Sequence, residues 1–324
     1  MTLRIHLALD SGAHSIYERF IAPKVGGGAS KENISVQAKI YGTMDLSFYH
    51  GPQYKAYVEK YVRFVKEHIK ALDFYVTLDI IFDPKLSWES QLYLESCGIK
   101  PMPVFHYGED HSWFKKYIDR YEHVGVGGLG QTTTKNKYVD FANKTFDMVC
   151  DSRGRPQNKI HGFAMGAFDL MLEWPWHSVD ASSPFFFARM GTVVLPSPVI
   201  HHGKVKGWDF FSPTKPFAVT ARRRFAKRSI EQLPDVTRRA LMQYFEELGF
   251  TLEQLQEYTP RDVVNLYFFL RASQEIMRAR EEKLGVAYPL KFYVSGKPSG
   301  ATAKKGIDEI CTQLTRLGIE DLYY

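Results

Sequence analysis

Residues 3–15 read LRIHLALDSGAHS. The apolar run 4–9 has strand character and stops directly on Asp10, followed by Ser11, Gly12 and Ala13. A carboxylate at the C-terminal tip of a buried strand, backed by small residues, sits where a parallel α/β barrel keeps its chemistry. A second stretch repeats the pattern far down the chain. WPWHSV, residues 174–179, ends in Asp180 and the small residues ASS. Two carboxylates delivered to one barrel mouth point to glycosyl transfer, one as nucleophile and the other moving protons.

Working outward, strand-like runs at 74–81, 101–106, 123–127, 159–165, 177–179 and 193–201 are interspersed with helix-like stretches at 54–72, 87–97, 112–121 and 137–150. This βα rhythm implies a parallel sheet. A late run, 290–295, supplies an eighth strand. Eight parallel strands close on themselves, so the expected fold is α/β, a (β/α)8 TIM-type barrel. From about Trp208 to Gly285 the rhythm breaks and the chain reads as all-helical. Pro234 and Gly249 bracket one helix, and Thr259 with Pro260 opens a long one that stops near Gly285. The expected organisation is a barrel core over 1–203, a basic helical insertion between the seventh and eighth strands over 204–285, and a final barrel strand and helix over 286–324. The Gly-rich stretch 26–41 is expected to loop over the barrel mouth.

Composition bounds the function. Of the 324 residues, 44% are hydrophobic and 15% aromatic, which excludes a disordered chain. No apolar run reaches the ~18 residues that a membrane span needs. The N-terminus lacks the basic region, apolar core and cleavage site of an exported protein, so a cytoplasmic location is expected, the host cytoplasm for a phage protein. Cys97, Cys150 and Cys311 lie too far apart for a local zinc knuckle, and their odd number argues against a disulfide framework. The net charge of +6 is concentrated: residues 204–239 hold ten Lys or Arg against three Asp or Glu, a net of +7, which leaves the rest at −1. Lys204, Lys206, the run Arg222, Arg223, Arg224, and then Lys227 and Arg228 form the footprint expected on a phosphate backbone. The alternative is a solvated helical face.

Four more motifs fall at strand ends. VTLDIIFDP carries Asp79 and Asp83, PVFHYGED carries His106, HVGVGGLG carries Gly127, Gly128 and Leu129, and HGFAMG carries His161 and Met165. Singly, each has an ordinary reading. A strand-end Asp commonly caps the next helix, a lone His is commonly a satisfied structural group, and a lone Met is commonly core. GVGGLG matches the spacing of a dinucleotide loop, but the polar run QTTTKNK follows it where an apolar helix should start.

Taken in order, the motifs resemble the tRNA-guanine transglycosylase superfamily. DSGAHS resembles that family's DSGGF/Y motif, GVGGL its AVGGL motif, AMG its LMG motif, and SVDASSP its nucleophile strand FDCVLPTR. The resemblance covers roughly residues 4–200. The strings TLDII, SWESQLYLES, PVFHYGED and VGVGGL are most similar to the phage and bacterial branch that inserts 7-deazaguanines into DNA.

The resemblance implies a role for each matching position. Asp180 becomes the nucleophile on C1′ and Asp10 the general acid/base. Asp79 faces the N1 and N2 edge of a guanine-like base, and Ser11 joins it among the base-binding residues. His106 stands in place of a glutamine that contacts the base carbonyl. Gly127, Gly128 and Leu129 offer backbone groups, and Met165 packs on the flat face of the base. The implied reaction exchanges guanine for a 7-deazaguanine such as preQ0 in DNA, of the kind that protects phage DNA from restriction. DNA and the free base are the implied partners, with accessory modification proteins beside them, and no metal or organic cofactor is expected.

The chain departs from the family in two respects. His14 replaces an aromatic that stacks on the base, and the zinc motif of the tRNA enzymes is missing, which favours DNA over tRNA. The alternatives are a tRNA-guanine transglycosylase without the zinc subdomain and a non-catalytic nucleic-acid-binding barrel.

Overall fold

The computed structural model describes residues 3–16, 19–20, 46–81, 83–128, 135–220, 229–285, 288–296 and 303–324. Its elements follow in chain order. Strand β1 (Arg4–Leu9) leads to the short helix α1 (Ala13–Ile16), and then come α2 (Pro52–His68), β2 (Leu72–Tyr75) and α3 (Pro84–Ser96). β3 (Val104–His106), α4 (His111–Ile118), β4 (His123–Gly127), α5 (Lys135–Asp147), β5 (Lys159–Gly162), α6 (Phe168–Glu173) and β6 (Ser178–Ala181) continue the alternation. After α7 (Ser183–Arg189) come four strands: β7 (Thr192–Val193), β8 (Ser197–His201), β9 (Lys204–Asp209) and β10 (Phe217–Ala218). The chain ends with α8 (Asp235–Glu247), α9 (Tyr258–Leu284), β11 (Lys291–Val294), α10 (Ala303–Arg316) and β12 (Asp321–Tyr323).

Eight strands form one parallel sheet in the order β2-β1-β12-β11-β6-β5-β4-β3. The local causes are ordinary. Asp83 caps α3 by accepting from the Leu86 amide at 2.9 Å, with Pro84 in the first turn. Asp110 caps α4 through the Ser112 amide at 2.8 Å. α9 ends at Gly285, whose φ of 67° and amide bond to the Glu281 carbonyl make a left-handed stop.

The chain divides into two compact units. The first comprises His6–Met165 and Trp174–Val179. In it, β3 pairs with β4 in the register Val104↔Gly125, Phe105↔Val126 and His106↔Gly127. β4 pairs with β5, and β5 with the start of β6, while β1 pairs with β2. Just past β2, Val76 forms a parallel bridge to Met102 ahead of β3. The Thr77 amide donates to the Met102 carbonyl at 2.9 Å, and the Met102 amide to the Tyr75 carbonyl at 2.8 Å. Outside the sheet, Val58, Tyr61 and Val65 of α2 and Leu94 of α3 bury against Tyr75 and Leu78. Inside it, Val76, Met102 and Val104 pack with Phe74 and Phe163.

The second unit comprises Met1–Ile5, Gly166–Glu173 and Asp180–Tyr324. The long helix α9 is its spine, burying Val263, Val264, Leu266, Phe268, Phe269 and Ile276. A fully buried Asn265 ties α9 to its neighbours. Its amide nitrogen donates to the Pro184 and Thr192 carbonyls at 3.2 Å each, and its oxygen accepts from Val194 at 3.0 Å.

Three expectations are corrected. The run 193–201 is not a strand of the eight-stranded sheet: it splits into β7, paired antiparallel with β10, and β8, paired antiparallel with β9. Pro196 interrupts the run. His202 and Gly203, with φ of 49° and 73°, make the two-residue hairpin turn that links β8 to β9. The remaining sheet strand is β12, only three residues long and too short for a legible alternation. The insertion therefore follows the sixth sheet strand, and it is not all-helical, since β9 reaches Asp209 and β10 lies at Phe217–Ala218. The stretch 26–41 lies outside the described residues.

Candidate functional site

Asp79 lies four residues past the end of β2, in a segment clamped on both sides. Ser90 of α3 donates to the Leu78 carbonyl at 2.7 Å. Ser87, one turn earlier, accepts from the Ile80 amide at 2.9 Å and donates to the Ile80 carbonyl at 3.1 Å. Serines three apart on a helix share a face, so the string SWES grips the backbone on either side of Asp79. That side chain is only 7% exposed.

His106 closes β3 opposite Gly127. Its Nε2 lies 3.1 Å from Asp79 Oδ2. Its Nδ1 lies 3.3 Å from Glu109 Oε1, an ion-pair contact off the hydrogen-bond axis. Glu109 also accepts from the His106 amide through Oε2 at 3.1 Å, while the Glu109 amide donates to the His106 carbonyl at 3.1 Å. Burial pushes the imidazole pKa down, but bonds and charges from Asp79 and Glu109 outweigh it and lift the value to about 10. His106 is therefore a cation at neutral pH, held between two carboxylates in a nearly dry cluster. Burial, with the Asp79 charge adding to it, pushes the Tyr54 phenol up to about 12, so it stays a neutral hydroxyl.

Two glycines of GVGGLG answer to side-chain packing and a third to a backbone turn. A Cβ on Gly127 would sit 3.1 Å from His106 Cδ2 and 3.3 Å from Nε2, so glycine is what lets the imidazole lie against β4. A Cβ on Gly125 would meet the Phe163 ring at 2.5 Å. Gly128, with φ of 76°, turns the chain away from the strand.

The other expected residues of this unit also fall at strand ends. Asp10 is exposed directly after β1, and its Oδ1 accepts from the Gly12 amide at 3.3 Å. Ser11 is buried, with its carbonyl receiving the Tyr57 hydroxyl at 2.7 Å. Met165 is buried beyond β5, where the Tyr138 hydroxyl lies 3.4 Å from its sulfur. The preceding Ala164 is held at φ of 54°, a strained position for a residue with a side chain. His161 is buried on β5, with Nδ1 2.8 Å from Ser178 Oγ, the ordinary reading of that residue.

In the second unit, Asp180 is half-buried on β6, next to Ala181, whose carbonyl accepts from Ser295 at 3.1 Å. Lys204 and Lys206 are exposed on strand β9, not on a helical face. Leu129, Arg222, Arg223, Arg224, Lys227 and Arg228 lie outside the described residues, as does the side chain of His14.

Thus the structure brings Asp79, His106 and Gly127 into contact and adds Glu109, Ser87 and Ser90, which sequence reasoning had not singled out. The HYGE spacing was a signal for Glu109, because a residue three past a strand-end His returns to it across one turn. Comparisons with known proteins found no matching family model, no matching curated protein and no matching solved structure.

Proposed function

We propose that the chain is a DNA base-exchange glycosyltransferase that replaces guanine with a 7-deazaguanine of the preQ0 class. The observation that carries this reading is the buried Asp79–His106 pair. A carboxylate beside a cationic imidazole offers an acceptor next to a donor. The guanine edge presents the complement, an N1–H and an N2–H beside the O6 carbonyl, and 7-deazaguanines keep that edge. Adenine reverses the pattern, so it would leave buried polar groups unpaired. The shared motif order of the transglycosylase superfamily supports the same assignment.

We further propose that the eight-stranded sheet is the wall of a closed (β/α)8 barrel. Neighbouring strands follow chain order, and the Val76–Met102 bridge joins the two ends of the series, which supports closure.

In the proposed reaction, Asp180 attacks C1′ of the target deoxynucleoside as the bond to N9 of guanine breaks. Asp10, in its acid form, protonates the departing base. The 7-deazaguanine then gives up its N9 proton to Asp10 and displaces Asp180, so C1′ retains its configuration after two inversions. The target nucleotide must leave the stack to be reached, and Lys204 and Lys206 with the arginines of 222–228 grip the backbone meanwhile. No step calls for a metal or a redox cofactor.

Base recognition is tested with Asp79→Ala. The variant should lose at least ~10-fold in preQ0 affinity by calorimetry while DNA binding changes little, since a buried donor edge goes unpaired. Equal loss of both, with a lowered melting temperature, would make Asp79 a structural residue.

A further inference from the structure

We propose that Glu109 is a positioning residue that keeps both ring nitrogens of His106 protonated, so that the site always offers a donor to the carbonyl oxygen of the incoming base. The inference rests on the base-recognition reading above. It begins from the imidazole's own chemistry. A neutral imidazole carries one donor and one acceptor nitrogen. Asp79 at 3.1 Å from Nε2 requires a proton there and would be satisfied by the neutral ring. Glu109 at 3.3 Å from Nδ1 makes a bare Nδ1 lone pair repulsive, so the second carboxylate demands the second proton.

Glu109 is fixed for this task. Its side chain is 6% exposed, and its other oxygen is held by the His106 amide at 3.1 Å. The Glu109 amide returns to the His106 carbonyl at 3.1 Å, so the two residues are locked in one tight turn. Gly127 leaves no side chain to push the ring out of line. When a base enters, its N1–H satisfies Asp79 and the Nε2 proton is released to the carbonyl oxygen. The second proton stays on Nδ1, held there by the charge of Glu109.

Tyr54, Tyr61 and Tyr117 feel the charge of Asp79, and all three are pushed up by burial. None of them ionises between about pH 6 and pH 9. His111, two residues past Glu109, is pushed down by burial, so the titration of His106 is followed on its own ring resonances.

The test compares the full-length wild type with Glu109→Gln, which keeps the shape and removes the charge. Two-bond ¹H–¹⁵N NMR follows protonation of His106, and calorimetry follows preQ0 binding at about pH 6 and about pH 8.5. In the variant, His106 should lose its proton ~2.5 pH units earlier than in the wild type. Its preQ0 affinity should match the wild type at the lower pH and fall ~10-fold at the higher one, where wild-type affinity changes less than ~2-fold. His106→Gln should bind with no pH dependence, and adding Glu109→Gln to it should change nothing.

An unshifted His106 titration overturns the proposal. So does an affinity loss equal at both pH values, or one that persists in the His106→Gln background. If the titration shifts but neither protein takes up preQ0, the base-recognition reading fails, and only the hold of Glu109 on His106 survives.

Discussion

Two glycines separated by one residue do different work. A Cβ on Gly125 would meet the Phe163 ring at 2.5 Å, inside the packed interior. Gly125→Ala should destabilise the fold by about 1–3 kcal/mol in a denaturant melt, as overpacking does. A Cβ on Gly127 would press on His106 at 3.1 Å. Gly127→Ala should therefore lower preQ0 affinity more than it lowers stability, because a small shift pulls Nε2 off Asp79. Equal melts and equal affinities for the two variants would contradict this division. At this scale the sequence was partly legible. Asp79, His106 and Gly127 could be singled out from strand ends, but the spacing GxGxxG gave no hint that Gly125 and Gly127 each answer a specific ring. Glu109 was legible only in the HYGE spacing, because its role depends on a turn closing over three residues, which hydrophobic periodicity does not report.

Between residue and fold, the helix α3 shows how one element holds a site. Asp83 starts it, and Ser87 and Ser90 on its first turns clamp the backbone around Asp79. Asp83→Ala should cost about 0.5–2 kcal/mol, the usual loss for an N-cap. The same loosening should weaken preQ0 binding, since Ser87 of the clamp lies one turn from the cap and its amide donates to the Asp83 carbonyl. A melt within error of wild type would show that the cap contributes nothing. Elements were legible where the pattern is long: β1 and β4 have the boundaries their apolar runs suggest, and α9 stops at Gly285 as its punctuation requires. Two were not. The hairpin β8–β9 was hidden by a run whose hydrophobic character resembles a barrel strand, although His202-Gly203 is a turn signal. β12 has only three residues, leaving nothing to alternate.

At the scale of the whole molecule, the rhythm of strands and helices was enough to read a parallel α/β sheet, but the count of eight was reached with the run 193–201 standing where β12 belongs. Charge is legible at the same scale, as the net of +7 in residues 204–239 requires no coordinates. Neutralising Arg222, Arg223 and Arg224 together should weaken DNA binding and reduce the log–log salt slope by up to ~3 units if all three touch phosphate. preQ0 binding should be unaffected, and an unchanged slope would mean that the cluster is a solvated face. The account stands or falls on base exchange. Purified protein is incubated with DNA carrying labelled guanine and with free preQ0, in parallel with tRNA, and the nucleosides are analysed by mass spectrometry. Release of labelled guanine with matching appearance of the 7-deazaguanine deoxynucleoside in DNA, abolished by Asp180→Asn while DNA binding persists, is the predicted result. Near-normal exchange by Asp180→Asn, or no incorporation into DNA by the wild type, would contradict it.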